Sequence, residues 1–154
     1  MPDSARIHLD RRLTWGETKE SAVAEVAEAC KLAGVPDARI EVLTYAEEAY
    51  TGLVYSTEKY YPTWVTPEDH YGVQAGAAAY RELFGKEAII DKWTFSTNGV
   101  AIAGMHKIPC IGLGPGNEIY AHAPNEACPI EHLSGAAAFY AGLIHKLGKS
   151  GEID

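Results

Sequence analysis

Two short segments near the start of the chain alternate apolar and polar residues, and a segment with helical spacing separates them. Residues 5–10 and 39–45 have the alternation of a half-buried strand. Between them, Thr14 and Glu17 resemble a capping box at a helix start. Gly34 is placed to end that helix in a left-handed conformation. These elements predict a β-α-β unit.

The second half of the chain alternates helical and strand-like segments, which is typical of a layered α/β module. Thr66 followed by Pro67 is a strong helix start, because a cap hydroxyl precedes a proline at the first helical position. A run of small residues, 75–79, lets this helix pack closely against a sheet. The predicted elements are helices over 66–84, 100–105 and 129–147, and strands over 87–95 and 108–113.

The stretch between these halves, residues 46–64, has little periodicity and many aromatic side chains. One interpretation is a linker that crosses to a second module. The other is an irregular β-hairpin whose tyrosines cover the edge of a core. The pattern favours neither. The aromatic residues are Tyr50, Tyr55, Tyr60, Tyr61 and Trp64.

Composition narrows the class of protein. The chain has 154 residues, 47% of them apolar, which fits one globular domain or a piece of something larger. A net charge of -8 disfavours nucleic acid and membrane partners, which need basic patches. The three cysteines form no CxxC pair and suit a reducing compartment. With no signal-peptide pattern and no long apolar run, we expect a cytoplasmic protein.

The strongest candidate for chemistry is His122, in a loop rich in glycine and proline between Glu118 and Glu126. This loop follows the predicted strand 108–113, and ligands bind beyond the carboxyl ends of strands in open α/β sheets. Imidazole is the commonest metal ligand. A catalytic metal site needs about three protein ligands, however, and the sequence does not obviously supply the others.

Other polar groups have both a functional and an ordinary interpretation. Residues 96–99 form either an anion pocket or a capped turn. Glu47 and Glu48 are more typical of a solvated turn than of an acid/base pair. Taken alone, Arg12 indicates a surface ion pair. His132 is mainly a structural residue, with a lesser alternative as a group that supports a metal ligand.

Five segments of the chain carry a family pattern: 2–12, 15–18, 93–99, 108–116 and 121–126. Together they resemble the acetylornithine deacetylase / succinyl-diaminopimelate desuccinylase / carboxypeptidase G family, closest to its selenium-metabolism-linked hydrolase branch. The resemblance implies an α/β fold made of a partial ferredoxin-like lid, which mediates dimerisation, over residues 1–62, and the C-terminal half of a catalytic domain over 63–154. Members cleave amide bonds of N-acyl amino acids or small peptides with two zinc ions, and cobalt or manganese remain alternatives.

The resemblance also implies roles for single residues. His122 matches the last zinc ligand of the family, and Glu126 stands beside it as a supporting group. Arg12 matches a lid arginine that holds the substrate carboxylate. The substrate is therefore expected to be a small carboxylate-bearing amide or peptide. The turn that lines the substrate pocket matches Thr97, Asn98 and Gly99.

The sequence departs from the family where the catalytic groups are expected. The His-x-Asp motif, the bridging aspartate, the Glu-Glu pair and the remaining acidic ligand would precede the lid, and none is present. We assign no catalytic residue and expect a fragment, a truncated frame or half of a split enzyme, inactive without a missing N-terminal half in trans. The expected assembly is a homodimer through the lid. The alternative is a non-catalytic dimerisation or small-ligand-binding module.

Overall fold

The structure, a computed structural model, describes residues 3–149. Helices dominate it, and a small two-stranded sheet makes it a mixed α/β structure. The chain divides into two compact units between Trp64 and Val65, and each unit is described by itself. No helix in the described range is long and apolar enough to cross a membrane.

The first unit contains helix α1, Lys19–Leu32. Thr18 caps this helix by accepting a hydrogen bond from the backbone N–H of Ser21 at 3.2 Å. The predicted cap at Thr14 is wrong. Thr14 does bind Glu17, through both its N–H (2.6 Å) and its hydroxyl (2.9 Å), but this contact closes a turn before the helix.

The end of α1 agrees with the sequence pattern. Gly34 follows the helix with a φ of 80°, the left-handed conformation that glycine adopts without steric cost. No residue of α1 is buried within the described structure. The apolar residues Val23, Val26 and Cys30, which recur at helical spacing, are half-buried.

The predicted β-α-β unit is not found. Residues 5–10 form no strand, and 39–45 is a strand only at β1, Thr44–Tyr45. β1 pairs in antiparallel fashion with β2, Thr57–Glu58, and a further bridge joins Glu48 to Val54. The tyrosine-rich stretch is therefore a hairpin, one of the two interpretations that the sequence left open. The predicted β-α-β unit is absent because alternation favours only an extended segment, whereas a strand also needs a neighbour that hydrogen-bonds to its backbone.

The second unit begins with helix α2, Tyr71–Phe84, which starts later than predicted. His70 is the cap residue, and its Nδ1 accepts a hydrogen bond from the N–H of Gly72 at 3.1 Å. Thr66 makes a different contact. Its hydroxyl donates to the carbonyl of Cys110 at 2.6 Å and accepts from the N–H of Cys110 at 3.3 Å. The helix ends where predicted, at the left-handed Gly85.

The core of the second unit lies between α2 and α3, Ile130–Lys149. The predicted end of this helix at residue 147 is wrong, since the helix continues through Gly148. Gly76 allows the close approach, because a Cβ there would lie 3.2 Å from Cδ1 of Ile111. The small face of α2 thus packs on a helix and an extended segment, not on a sheet. The buried cluster is Ala79, Phe139 and Leu143.

The two predicted strands of this unit, 87–95 and 108–113, are not strands in the described structure. Side chains hold them instead. The hydroxyl of Tyr140 donates to the carbonyl of Leu113 at 2.8 Å and accepts from its N–H at 3.1 Å. The ring of Trp93 packs beside Gly112 and Gly114, at the end of the second segment, where a Cβ on either glycine would lie 3.5 Å from it. The short helix predicted at 100–105 is present as a π-helix, Val100–Met105.

Candidate metal-ligand loop

The loop that carries His122 has an unusual backbone. Gly116 has a φ of 97°, and His122 and Asn125 both have a φ of 62°. Positive φ is uncommon for residues other than glycine, although asparagine and histidine tolerate it best. A short 3₁₀ helix, Glu118–Tyr120, lies between these turns and is capped by the side chain of Asn117. The backbone is thus turned sharply on both sides of the imidazole.

Both carboxylates that flank His122 brace this loop. Glu118 accepts hydrogen bonds from the hydroxyl of Thr94 at 3.0 Å and from its N–H at 3.5 Å. Glu126 accepts the backbone N–H of His122 at 3.2 Å. Glu126 therefore contacts the main chain of His122, and its carboxylate offsets the strain of the positive φ at that residue.

The imidazole of His122 is exposed, not packed into the core. Its ring lies edge-on to Phe95, with 5.3 Å between ring centroids and 76° between planes. Neither ring nitrogen makes a hydrogen bond to another residue within 3–149. A ring oriented by an aromatic contact, with both nitrogens open, suits a metal ligand.

The rest of a metal centre is not formed by the described residues. Within 3–149, no group of three or more histidine, cysteine, aspartate or glutamate side chains could hold a metal ion. A catalytic zinc needs about three protein ligands. Since His122 can provide only one of them, these residues by themselves do not fit a catalytic zinc site.

The turn at 97–99 is a capped turn. The hydroxyl oxygen of Thr97 accepts the N–H of Gly99 at 3.1 Å, and Gly99 is buried. The side chains of Thr97 and Asn98 are exposed, so the Thr97 O–H and the Asn98 amide can still donate to a ligand. Phe95 lies two residues before this turn, and its ring contacts the ring of His122. Residues 95–99 therefore connect the predicted metal ligand with the predicted substrate turn.

Of the two neighbouring arginines of the first unit, Arg11 makes ion pairs and Arg12 makes none within the described residues. Arg11 binds Glu17 and lies 2.9 Å from Glu25. These pairs raise the pKa of Arg11, chiefly through the hydrogen bond to Glu25. The backbone N–H of Thr14 is the main cause that lowers the pKa of Glu17. Arg12 is exposed and has no ion pair within the described residues, so its guanidinium is free for a ligand.

Sequence reasoning gave little weight to His132, which contacts the loop directly. Its Nδ1 accepts the N–H of Gly116 at 3.3 Å, so the proton of a neutral ring is on Nε2. The only signal in the sequence was the short distance along the chain from His122. An open depression of about 520 Å³ lies beside it, lined by Asn117, Tyr120, Asn125, Ala127, Cys128, Pro129 and His132.

Comparison with known families bears on the same loop. The sequence model described as peptidase family M20/M25/M40 matches residues 51–146. The chain belongs to this family. Family M20 peptidases are generally metal-dependent. The match includes the 97–99 turn, His122 and Glu126, whereas Arg12 precedes it.

Two curated M20 relatives are similar over most of the chain. Both are called "Uncharacterized protein YgeY", from Escherichia coli strain K12 and from Escherichia coli O157:H7. Each is 51% identical over 141 residues, which is 92% of this chain but 35% of the relative. The chain therefore spans about a third of the length of these relatives. No solved structure matches it.

Proposed function

We propose that this chain supplies one metal ligand, His122, to a metal-dependent amidohydrolase or peptidase. The observation that carries the proposal is the exposed imidazole on a braced loop inside the family match. Glu126 holds the backbone of His122, and Phe95 orients its ring. When bound, the metal would act as a Lewis acid on the scissile amide. The metal would be zinc, with cobalt or manganese as alternatives.

The substrate class follows from the polar groups that the described residues leave free. Arg12 has an unpaired guanidinium, whose planar fork matches a carboxylate. Thr97 and Asn98 can donate further hydrogen bonds. Taken separately, the guanidinium of the first unit suits the carboxylate, and the donors of the second unit suit the amide, of a small substrate such as an N-acyl amino acid or a small peptide. The resemblance of five sequence segments supports the further proposal that the chain belongs with the acetylornithine deacetylase and desuccinylase relatives, in the selenium-metabolism-linked branch.

The remaining metal ligands and the group that takes the proton from water would come from outside the described residues. This is consistent with a chain that spans 35% of its relatives. We assign residues 1–62 to a lid that pairs two copies of the protein, and residues 63–154 to the closing part of the catalytic domain. The chain by itself would be inactive.

Metal content and hydrolysis test the proposal together. The chain is prepared alone and co-expressed with the part of a YgeY relative that it does not match, and both preparations are assayed with N-acetyl amino acids. We expect bound metal and activity only in the reconstituted protein, and loss of both in its His122→Ala variant. His145→Ala is the matched control, since His145 is also an exposed histidine. Full activity in reconstituted His122→Ala would exclude His122 from the metal centre.

One observation favours a second candidate, a non-catalytic dimerisation or ligand-binding module. Large apolar side chains are exposed in each unit, such as Ile7 in the first at 81% and Ile89 in the second at 92%. Exposed apolar patches mark interaction surfaces. Sedimentation analysis separates the candidates: a dimer that remains inactive when the upstream part is supplied favours the module.

A further inference from the structure

A second cleft lies in the hairpin of the first unit, and the proposed hydrolase function does not use it. Its volume is about 340 Å³. We call it the tyrosine cleft and define it by the lining residues Tyr45, Glu47, Leu53, Tyr55 and Tyr61. The family match begins at residue 51, so Tyr45 and Glu47 lie outside it.

The register of the hairpin explains why these side chains meet. Glu47 follows β1 and Tyr55 precedes β2, and the bridge between Glu48 and Val54 continues the register of the two strands through this part of the hairpin. Tyr45 pairs with Thr57, which places Tyr55 diagonally across from Tyr45. The hairpin turn is closed by hydrogen bonds of 2.9 Å from the Ala49 N–H to the Leu53 carbonyl, and from Gly52 to Ala49.

The chemistry of the cleft is that of a cation site. Three electron-rich rings line it, and they remain open to solvent, with Tyr45, Tyr55 and Tyr61 exposed by 46%, 73% and 56%. The carboxylate of Glu47 makes no ion pair within residues 3–149. Aromatic faces beside a carboxylate attract organic cations, and quaternary ammonium groups above all.

The ammonium group of Lys59 already lies over the ring of Tyr45. Nζ of Lys59 lies 5.9 Å from the ring centroid of Tyr45. The contact shows that the ring can receive a cation in this fold. Lys59 also places a like charge at the edge of the cleft, which weakens binding of an external cation.

We propose that the tyrosine cleft binds an organic cation that carries an alkylated ammonium group. A primary ammonium has three N–H donors and must give up some of their hydrogen bonds to water in order to lie against a ring face. Methyl groups need no hydrogen-bond acceptor and gain contact with the rings. The site is therefore better matched to a methylated ammonium than to a lysine-like one.

A titration of the full chain tests the charge requirement. Choline and its neutral isostere, 3,3-dimethylbutanol, are added separately while the NMR shifts of the Tyr45 and Tyr55 rings are recorded. We expect saturable, millimolar binding of choline and at least severalfold weaker binding of the neutral alcohol. Equal binding of both, or no saturable shift with choline, overturns the proposal.

Four variants test which groups bind. Tyr55→Leu should weaken choline binding roughly 2- to 5-fold, and Tyr55→Phe, which keeps the ring, should change it little. Glu47→Gln should weaken it by a similar factor. Lys59→Met should strengthen it.

Two further observations make these variants decisive. Glu28→Gln, an exposed carboxylate on α1 that does not line the cleft, removes the same charge and should leave affinity unchanged. Tyr55 is mostly exposed, so its variants should retain the circular dichroism spectrum of the parent. Undiminished binding in folded Tyr55→Leu, or equal losses in Glu47→Gln and Glu28→Gln, overturns the proposal.

Discussion

Replacing Tyr140 by phenylalanine removes one oxygen atom that makes two hydrogen bonds to Leu113. The hydroxyl donates to the carbonyl at 2.8 Å and accepts from the N–H at 3.1 Å. This pair joins α3 to the extended segment that leads into the His122 loop. Because no strand pairs with that segment in the described structure, the phenol acts as its hydrogen-bonding neighbour.

The magnitude follows from the two bonds and their exposure. A hydrogen bond contributes about 0.5–1.5 kcal/mol net, so two would contribute about 1–3 kcal/mol. Tyr140 is 41% exposed, and water can replace part of each bond in the variant. We therefore expect the low end, about 1 kcal/mol lost from the free energy of unfolding of the second unit. The ring remains, so its contact with Phe139 is kept.

Amide hydrogen exchange measures this effect at the atom concerned. The Leu113 N–H loses its acceptor in Tyr140→Phe and should exchange roughly 5-fold faster, the equivalent of about 1 kcal/mol. Tyr80→Phe is the control, because Tyr80 packs on Phe84 and its hydroxyl makes no hydrogen bond within the described range. Unchanged Leu113 exchange in Tyr140→Phe, or equal acceleration in both variants, would refute the reasoning.

Three further predictions concern stability. Thr18→Ala should lower the free energy of unfolding by about 1 kcal/mol, because the N–H of Ser21 loses its cap. The loss should appear as a weaker helical circular dichroism signal, and an unchanged spectrum and melting curve would contradict the cap. Phe139→Ala should lower the free energy of unfolding, measured in urea, by about 3–5 kcal/mol, because Phe139 is only 4% exposed in the core cluster. A loss below about 1 kcal/mol would contradict that burial. The lowered pKa of Glu17 stabilises the fold above the ordinary glutamate pKa of about 4.3, and this contribution is lost as pH falls through the lower folded value. The melting temperature of Glu17→Gln should therefore fall less between pH 6 and 3 than that of the parent, and identical losses would contradict the assignment.

The sequence predicted which residues belong to the site but not how they contact one another. The resemblance singled out His122 and Arg12 as single positions, and their roles stay predictions. It did not show that Phe95 contacts the His122 ring, that Glu126 binds the His122 backbone, or that Arg11 takes the ion pairs. Each of these contacts depends on how segments distant in sequence meet, and alternation and spacing do not encode that.

Helices and their ends were largely determined by the sequence. A helix closes its hydrogen bonds within its own segment, so apolar spacing and a following glycine are enough to locate α1 and α2. The helix starts were less certain, because several side chains in a row could cap, and tertiary contacts chose between them. Thr66 binds Cys110, which leaves His70 as the cap of α2.

Strands were decided only by the tertiary structure. Residues 5–10, 87–95 and 108–113 all have the composition of strands, but a strand exists only where a neighbour pairs with its backbone. In the described structure that neighbour is found for β1 and β2 alone, and the hairpin they form brings three tyrosines and Glu47 around one cleft. The sequence determined which segments are extended, and the fold decided what each one pairs with.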